Sequence, residues 1–306
     1  MLSVSIVTPS LNQGRFIEAT IRSVLDQDYP AREYLVQDGG STDATLSILK
    51  RYENENRLRW VSGPDAGQAD AVNRGILAST GQVIGWLNSD DLYLPGALRS
   101  VCAFLDDHPS VDVVYGRAEI VDEDGAPAGE YRTQAWDPAR LRDTCFLCQP
   151  AVFFRRRVVE RYGLLDARLE YCMDYEYWLR LSAAGARFAY LPTHLAATRL
   201  YPTNKTRGSR LAVHAELNAM LRERLGRVPD RWLANHAHTL AELRGLSYTA
   251  SPLRWSVVTA LLYWSLSLRW NGRVSPGLAL LSARRFVSGT AAAAGLWRPR
   301  SAAAHT

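Results

Sequence analysis

Two adjacent carboxylates, Asp90 and Asp91, close the segment VIGWLNSDD at the end of an apolar run over residues 83–87. The run reads as a buried strand. Carboxylates side by side at the end of such a strand repel each other and lose hydration. A cation at that edge relieves both costs, and hard divalent ions such as Mg²⁺ or Mn²⁺ prefer oxygen ligands. The same residues would also serve as a solvated turn, or as the cap of a helix beginning near Pro95.

The elements that would position these groups follow from periodicity. Residues 3–9, SVSIVTP, alternate and are β-branched, which predicts a strand. Asn12 and Gly14 lead into residues 15–27, where Phe16, Ile17, Ile21, Val24 and Leu25 share a helical face. Residues 34–37 predict a second strand, ending in the loop Asp38-Gly39-Gly40-Ser41-Thr42-Asp43. A third strand at 58–61 precedes the loop Gly63-Pro64-Asp65-Ala66-Gly67-Gln68, a helix at 69–77 and the strand at 83–87. Strand and helix alternate, so the expected fold is α/β: an open, mainly parallel sheet flanked by helices. Ligands bind at the carboxyl ends of such strands, where Asp38, Asp65, Asp90 and Asp91 all fall. Capping explains one or two of these carboxylates easily and all four poorly.

The segments TPSLNQGRFIEATIRSVLDQDYP, QDGGSTDAT, DAGQADAVNRG and WLNSDDLYLPGAL, in that order, resemble the successive signatures of the family 2 glycosyltransferases. A further match, CMDYEYWLRL at 172–181, extends the resemblance to about residue 200. It implies an inverting enzyme of the GT-A fold, a Rossmann-like nucleotide-sugar-binding domain. It also implies that Thr8, Pro9 and Asp38 line uracil or an equivalent base, with Asp65 and Gln68 reaching the ribose or base from the third loop. The family's Asp-x-Asp motif holds ribose and metal; here Asn88 takes the first position. Asn88 still offers a hydrogen bond to a ribose hydroxyl. Asp90 matches the metal-binding carboxylate, with Asp91 supporting the metal side behind it and Mn²⁺ or Mg²⁺ as the cofactor.

Asp174 aligns with the family's general base, which takes the acceptor's proton as it attacks the anomeric carbon. It would equally cap a helix over 175–184. Glu176 is a substitute base, placed inside that helix. Residues 148–155 resemble the family's acceptor-facing strand, so Gln149 is a candidate contact to a sugar hydroxyl, or a partner for a local backbone group. Trp136 and Trp178 would stack on a sugar or pack in the core. Residues 199–205, RLYPTNK, resemble the segment after the last catalytic strand. Arg199 and Lys205 are candidate phosphate or acceptor contacts, or solvated surface charge, and the His that often follows the Arg in this family is absent. A strand at 111–116 and a hairpin over 119–130, turning at Asp122-Glu123-Asp124-Gly125, lie between the two halves.

Charge divides the chain. Residues 1–198 carry 20 basic and 27 acidic side chains, and residues 199–306 carry 16 basic and 4 acidic ones. The expected organisation is a catalytic domain over 1–205, split into a nucleotide-sugar half (1–100) and an acceptor half (101–205), and a basic helical extension over 206–306. A helix is expected at 211–225. Residues 257–268 are apolar but too few to span a bilayer, and they are flanked by Arg254, Trp255, Arg269 and Trp270. That pattern, with a second apolar stretch at 278–296, suits either a helix lying in an anionic membrane interface or a subdomain packed on the core. The N-terminus MLSVSIVTPS does not read as a signal peptide. Cys145-x-x-Cys148 lacks a second pair for zinc, so the four cysteines are expected reduced, in a cytoplasmic protein at or near the inner face of the plasma membrane.

The resemblance implies transfer of a single sugar from a nucleoside-diphosphate sugar, UDP-sugars favoured, to a saccharide or polyprenyl-linked acceptor in surface polysaccharide or glycolipid assembly. The Gln-x-x-Arg-Trp motif of polymerising synthases is absent. A sugar-phosphate nucleotidyltransferase would need a basic Gly-rich loop for a triphosphate, which the N-terminal half lacks. A non-catalytic carbohydrate-binding protein would not need Asp90 and Asp174 together. A basic tail without a recognised motif, rich in apolar residues, argues against nucleic acid.

Overall fold

The structure is a computed structural model and describes residues 1–53 and 58–277. The expected apolar stretch at 278–296 lies outside these residues. The chain forms two compact units: residues 1–141 with 145–207, and residues 142–144 with the chain from Gly208 onward.

The first unit is built on a nine-stranded sheet. Its N-terminal half alternates strand and helix: β1 (Val4–Ser10), α1 (Ile17–Leu25), β2 (Arg32–Asp38), α2 (Thr45–Glu53), β3 (Arg59–Ser62), α3 (Gln68–Ala78) and β4 (Val83–Trp86). Then come β5 (Leu92–Tyr93), α4 (Ala97–Asp107), β6 (Val113–Val121), β7 (Pro127–Glu130), α5 (Pro138–Leu141), a 3₁₀ turn (Gln149–Ala151), β8 (Val152–Arg155), α6 (Arg156–Tyr162), α7 (Met173–Ala183) and β9 (Phe188–Arg199). The spatial order is β3-β2-β1-β4-β8-β6-β9-β5, with β7 paired to β6. β1 through β4 are mutually parallel, and β8 enters antiparallel between β4 and β6. The hairpin forms as expected, with Glu119 opposite Glu130 and the Asp122 N–H donating to the Ala126 carbonyl.

Burial explains these choices. Every residue of β1 is buried, as befits a strand with neighbours on both sides and helices on its faces. α1 turns Ile17, Thr20, Ile21, Val24 and Leu25 inward, a stripe that packs with Val4, Ile6, Val36 and Leu49. Gly85 in β4 has a packing reason: a Cβ there would lie 2.5 Å from Tyr93 Oη and 2.8 Å from Ile6 Cδ1.

The second unit is helical. After the single turn α8 (Lys205–Gly208) come α9 (Arg210–Leu225), α10 (Asp230–Glu242) and α11 (Pro252–Asn271). The 12-residue run foreseen at 257–268 is the centre of a 20-residue helix. No helix among the described residues is long and apolar enough to cross a membrane. His236 is buried, accepts a hydrogen bond at Nδ1 from Asn218 Nδ2 (2.9 Å) and stacks on His214. Cys102, Cys145, Cys148 and Cys172 are all free thiols.

Candidate functional site

The chain runs outward from β1 to β2 and β3, then returns to β4 on the other side of β1. That reversal opens a crevice beyond the carboxyl ends of β1 and β4. Asp38 ends β2, and the loops following β3 and β4 carry Asp65 and Asn88 to Asp91.

Asp38 is buried and saturated by its own surroundings. Its Oδ2 accepts the N–H groups of Gly40 (3.1 Å) and Ser41 (2.9 Å) and the Ser62 hydroxyl (2.6 Å). Its Oδ1 accepts the Ser41 hydroxyl. Asp38 therefore shapes the loop. Thr8 is fully buried with its hydroxyl 3.2 Å from Tyr34 Oη, and Pro9 is buried too, so these residues form floor and not lining. Next to them, Ser10 ends β1 with a buried hydroxyl that has no hydrogen-bond partner. Such an orphan is a candidate polar contact for a ligand, one the sequence reading missed. Asp65 lines a shallow pocket together with Gln37, Asp38, Gly63 and Arg74. Arg74 was also missed, although it lies in the quoted DAGQADAVNRG.

Asn88 is a four-way junction. Its Oδ1 accepts from Trp86 Nε1 (2.9 Å) and Gln68 Nε2 (2.8 Å). Its Nδ2 donates to Gln149 Oε1 (2.9 Å) and Asp91 Oδ2 (3.3 Å). All four hydrogen-bonding positions of the amide are used, so Asn88 ties the third loop, β4 and the β8 entry together and does not face a ribose. Gln149 is oriented in turn by donating Nε2 to the Trp86 carbonyl (2.6 Å). It is buried and serves Asn88 and a backbone carbonyl, the second of the two roles read for it from the sequence, although that carbonyl is not a local one. On the far side, Lys205 Nζ reaches Gln68 Oε1 at 3.4 Å, bringing a cation to the end of this chain.

The geometry makes Asn88→Asp informative. A carboxylate there would face Gln149 Oε1 and stand beside Asp90 and Asp91. We expect the variant to lose about 1–3 kcal/mol of stability, the cost of an unmet buried group plus like charge. Thermal unfolding measures it; a variant as stable as wild type would remove the junction from the account.

The two carboxylates differ. Asp91 is buried, with Oδ1 accepting the Arg199 backbone N–H (2.9 Å) and Oδ2 accepting from Asn88. Burial, reinforced by the Asp90 charge, pushes its carboxyl well above the usual carboxylate range. Asp90 is half-buried; its Oδ2 accepts the Tyr201 hydroxyl at 3.0 Å, and burial raises its proton affinity too. Asp91 is thus held by Arg199 and Asn88 next to Asp90, and Asp90 remains the candidate cation ligand. Among the described residues no group of three or more His, Cys, Asp or Glu side chains could hold a metal by itself.

Arg199 does not point to solvent. It is buried and donates Nε to the Asp90 carbonyl (3.0 Å) and Nη1 to the carbonyls of Asp122 (3.0 Å) and Glu123 (2.9 Å). Its guanidinium lies 5.0 Å from the Phe16 ring centroid. It clamps the acidic loop to the hairpin turn, so it is not the solvated surface charge that was one of its two sequence readings. Tyr201, two residues on, was missed by the sequence reading, yet its hydroxyl donates to the Asp90 carboxylate.

Asp174 lies in the first turn of α7, which starts two residues earlier than expected with Cys172 as its cap residue. Its Oδ1 accepts the Tyr175 N–H at 2.7 Å. Burial pushes its carboxyl up to about 6. Burial raises the Cys148 thiol, and the charges of Asp91 and Asp174 add to that rise. Glu176 points the other way. It is fully buried and grips Arg180 (2.9 Å), which also donates to the carbonyls of Tyr162 and Leu164. That excludes Glu176 as a substitute base. Trp178 packs in the core against Phe154 and Tyr177, and Trp136 stacks on Phe188 at 4.0 Å.

The profile described as "Glycosyl transferase family 2" matches residues 5–163. A "PGL/p-HBAD biosynthesis glycosyltransferase" of Mycobacterium tuberculosis is 32% identical over 179 residues, 58% of this chain and 68% of that protein. Staphylococcus aureus TarS (residues 1–349, in complex with UDP-GlcNAc) superposes with TM-score 0.62 at 18% identity, covering 97% of this chain and 93% of that one. The mannosyltransferase PcManGT of Pyrobaculum calidifontis, in complex with GDP-Man and Mn²⁺, gives 0.60 at 20% identity, covering 97% and 81%. These likenesses agree with a GT-A-type fold.

Proposed function

This chain belongs to the family 2 glycosyltransferases, and from that premise we propose that it moves a single sugar, with inversion, from a nucleoside-diphosphate sugar to a hydroxyl of a saccharide or lipid-linked acceptor. The observation that carries this reading is a pair of unlike carboxylates at two element ends: Asp90 in the loop after β4, its Oδ2 accepting the Tyr201 hydroxyl, and Asp174 in the first turn of α7, where burial raises its carboxyl to about 6. A carboxylate of that basicity is ionised at neutral pH and still accepts a proton readily. Asp174 would take the acceptor's proton as its oxygen attacks the anomeric carbon from the face opposite the leaving diphosphate.

The donor side is assembled from Ser10, Asp65, Arg74 and Lys205 around the Asn88 junction. Asp90 would hold a Mn²⁺ or Mg²⁺ ion together with the donor's phosphates, a fit supported by a carboxylate whose burial disfavours its bare charge. The ion would supply charge neutralisation at the departing diphosphate. Support for a nucleotide-sugar donor comes from the ligands named for TarS and PcManGT, UDP-GlcNAc and GDP-Man. The M. tuberculosis relative, named for PGL/p-HBAD biosynthesis, supports an acceptor in glycolipid or surface-polysaccharide assembly, and the proposal sets that acceptor at the cytoplasmic face of a membrane.

The test is a panel of UDP- and GDP-sugars with Mn²⁺. The matching donor should raise the unfolding temperature and be hydrolysed slowly to free nucleoside diphosphate; at a hundred times Kd the gain is about 2.7 kcal/mol. Pyrophosphate released from a nucleoside triphosphate plus sugar phosphate would instead point to a nucleotidyltransferase and overturn the reading.

A further inference from the structure

Helix α11 is built inside out. Its buried face carries Ser256, Thr259, Tyr263 and Ser267 beside Trp255 and Leu266. Each of the four polar groups has a partner: Ser256 Oγ donates to the Pro252 carbonyl (2.8 Å), Thr259 Oγ1 to that of Trp255 (2.8 Å) and Ser267 Oγ to that of Arg273 (2.6 Å), and Tyr263 Oη pairs with His238 Nε2. The outward face carries Leu253, Val257, Leu261, Trp264 and Leu268, which are 39%, 39%, 60%, 44% and 54% exposed. Steps of four, four, three and four residues keep all five within an arc of about 80° and spread them along roughly 22 Å of helix. A helix against water carries the opposite pattern, and a contiguous exposed apolar stripe marks a contact surface.

Charge indicates what that contact is. Arg254 and Arg269 stand near the two ends of the exposed face. From Leu243 to the C-terminus the sequence has eight arginines and no aspartate or glutamate. Two copies of α11 pairing stripe to stripe would bring arginine against arginine with no acid on the helix to offset them. An anionic lipid surface supplies both the apolar layer for the stripe and the countercharge for the arginines. We propose that α11 lies flat in an anionic membrane interface, immersing Leu253, Val257, Leu261, Trp264 and Leu268, with Arg254 and Arg269 at the headgroups. This gives the membrane-side acceptor of the proposed function a place to be met, and it rests on that reading only for its purpose.

The experiment uses the full chain and vesicles of phosphatidylcholine with or without phosphatidylglycerol. Wild type should co-sediment with the anionic vesicles at low salt, detach in part at high salt and ignore pure phosphatidylcholine. Leu261→Asp should lower the bound fraction at least about tenfold, and Leu261→Ser by less. Arg254→Gln with Arg269→Gln should weaken binding to anionic vesicles severalfold. All three sites are exposed, so unfolding temperatures should stay at the wild-type value. Donor-induced thermal shift, measured in parallel, should be unchanged in every variant. Wild type that binds neither vesicle, or Leu261→Asp that binds as wild type does, overturns the proposal. So does a wild-type dimer that Leu261→Asp converts to monomer with vesicle binding unaffected, which would make the stripe an interface between copies. Vesicle binding lost with the donor shift intact would leave the transfer reading standing; the reverse result would remove the transfer reading and leave the membrane contact.

Discussion

Asp174→Asn should slow sugar transfer by about 10²–10⁴-fold while nucleotide-sugar binding stays at the wild-type level, because it removes a general base and keeps its shape. The pH profile provides a second readout. With the carboxyl raised to about 6, wild-type kcat/KM should fall about tenfold per pH unit below that value and level off above it. The variant should lose that limb. Stability moves in the opposite sense. The unfolded carboxyl ionises near its ordinary 3.8 and the folded one near 6, so the native state holds the proton longer. The stabilisation is present below about 4 and lost as pH rises through 6. At neutral pH the neutral Asn should leave the unfolding temperature equal or higher. A variant that turns over near the wild-type rate places the base elsewhere; since Glu176 is clasped by Arg180, the search would turn to another chain segment.

Asp90→Ala should reduce turnover by about 10³-fold, the scale of losing a group that stabilises transition-state charge, and chelator should do the same to wild type. The variant should no longer respond to added Mn²⁺ or Mg²⁺, and its affinity for nucleoside diphosphate should become independent of metal. Without metal the variant should be at least as stable as wild type near pH 7. Burial raises both Asp90 and Asp91, so their ionisation opposes folding once pH passes their unfolded values. Metal with nucleotide should raise the wild-type unfolding temperature and leave that of Asp90→Ala nearly unchanged. Full activity of wild type in excess chelator would remove the cation from the mechanism.

The sequence by itself determined the elements and their kind. The strands at 3–9, 34–37, 58–61 and 83–87, the hairpin turning at Asp122 and the helix around Asp174 were legible because burial periodicity and turn chemistry are local properties of the chain. Asp90 and Asp174 were legible as residue types at the ends of such elements. The direction of each side chain and its partner were decided only by the tertiary structure. Gln149 and Arg199 read as surface contacts, yet each is buried against groups 61 to 109 residues away in sequence. The Asn88 junction unites Gln68, Trp86, Gln149 and Asp91, and no spacing encodes it because β8 inserts between β4 and β6 from a distant part of the chain. The same holds for Ser10, Arg74 and Tyr201. The apolar run in α11 was plain in the sequence, but that its large side chains face outward while Ser256, Thr259 and Ser267 face inward depends on what the helix packs against. A buried polar atom must be satisfied wherever the fold supplies a partner, and that is a long-range condition which composition and periodicity do not record.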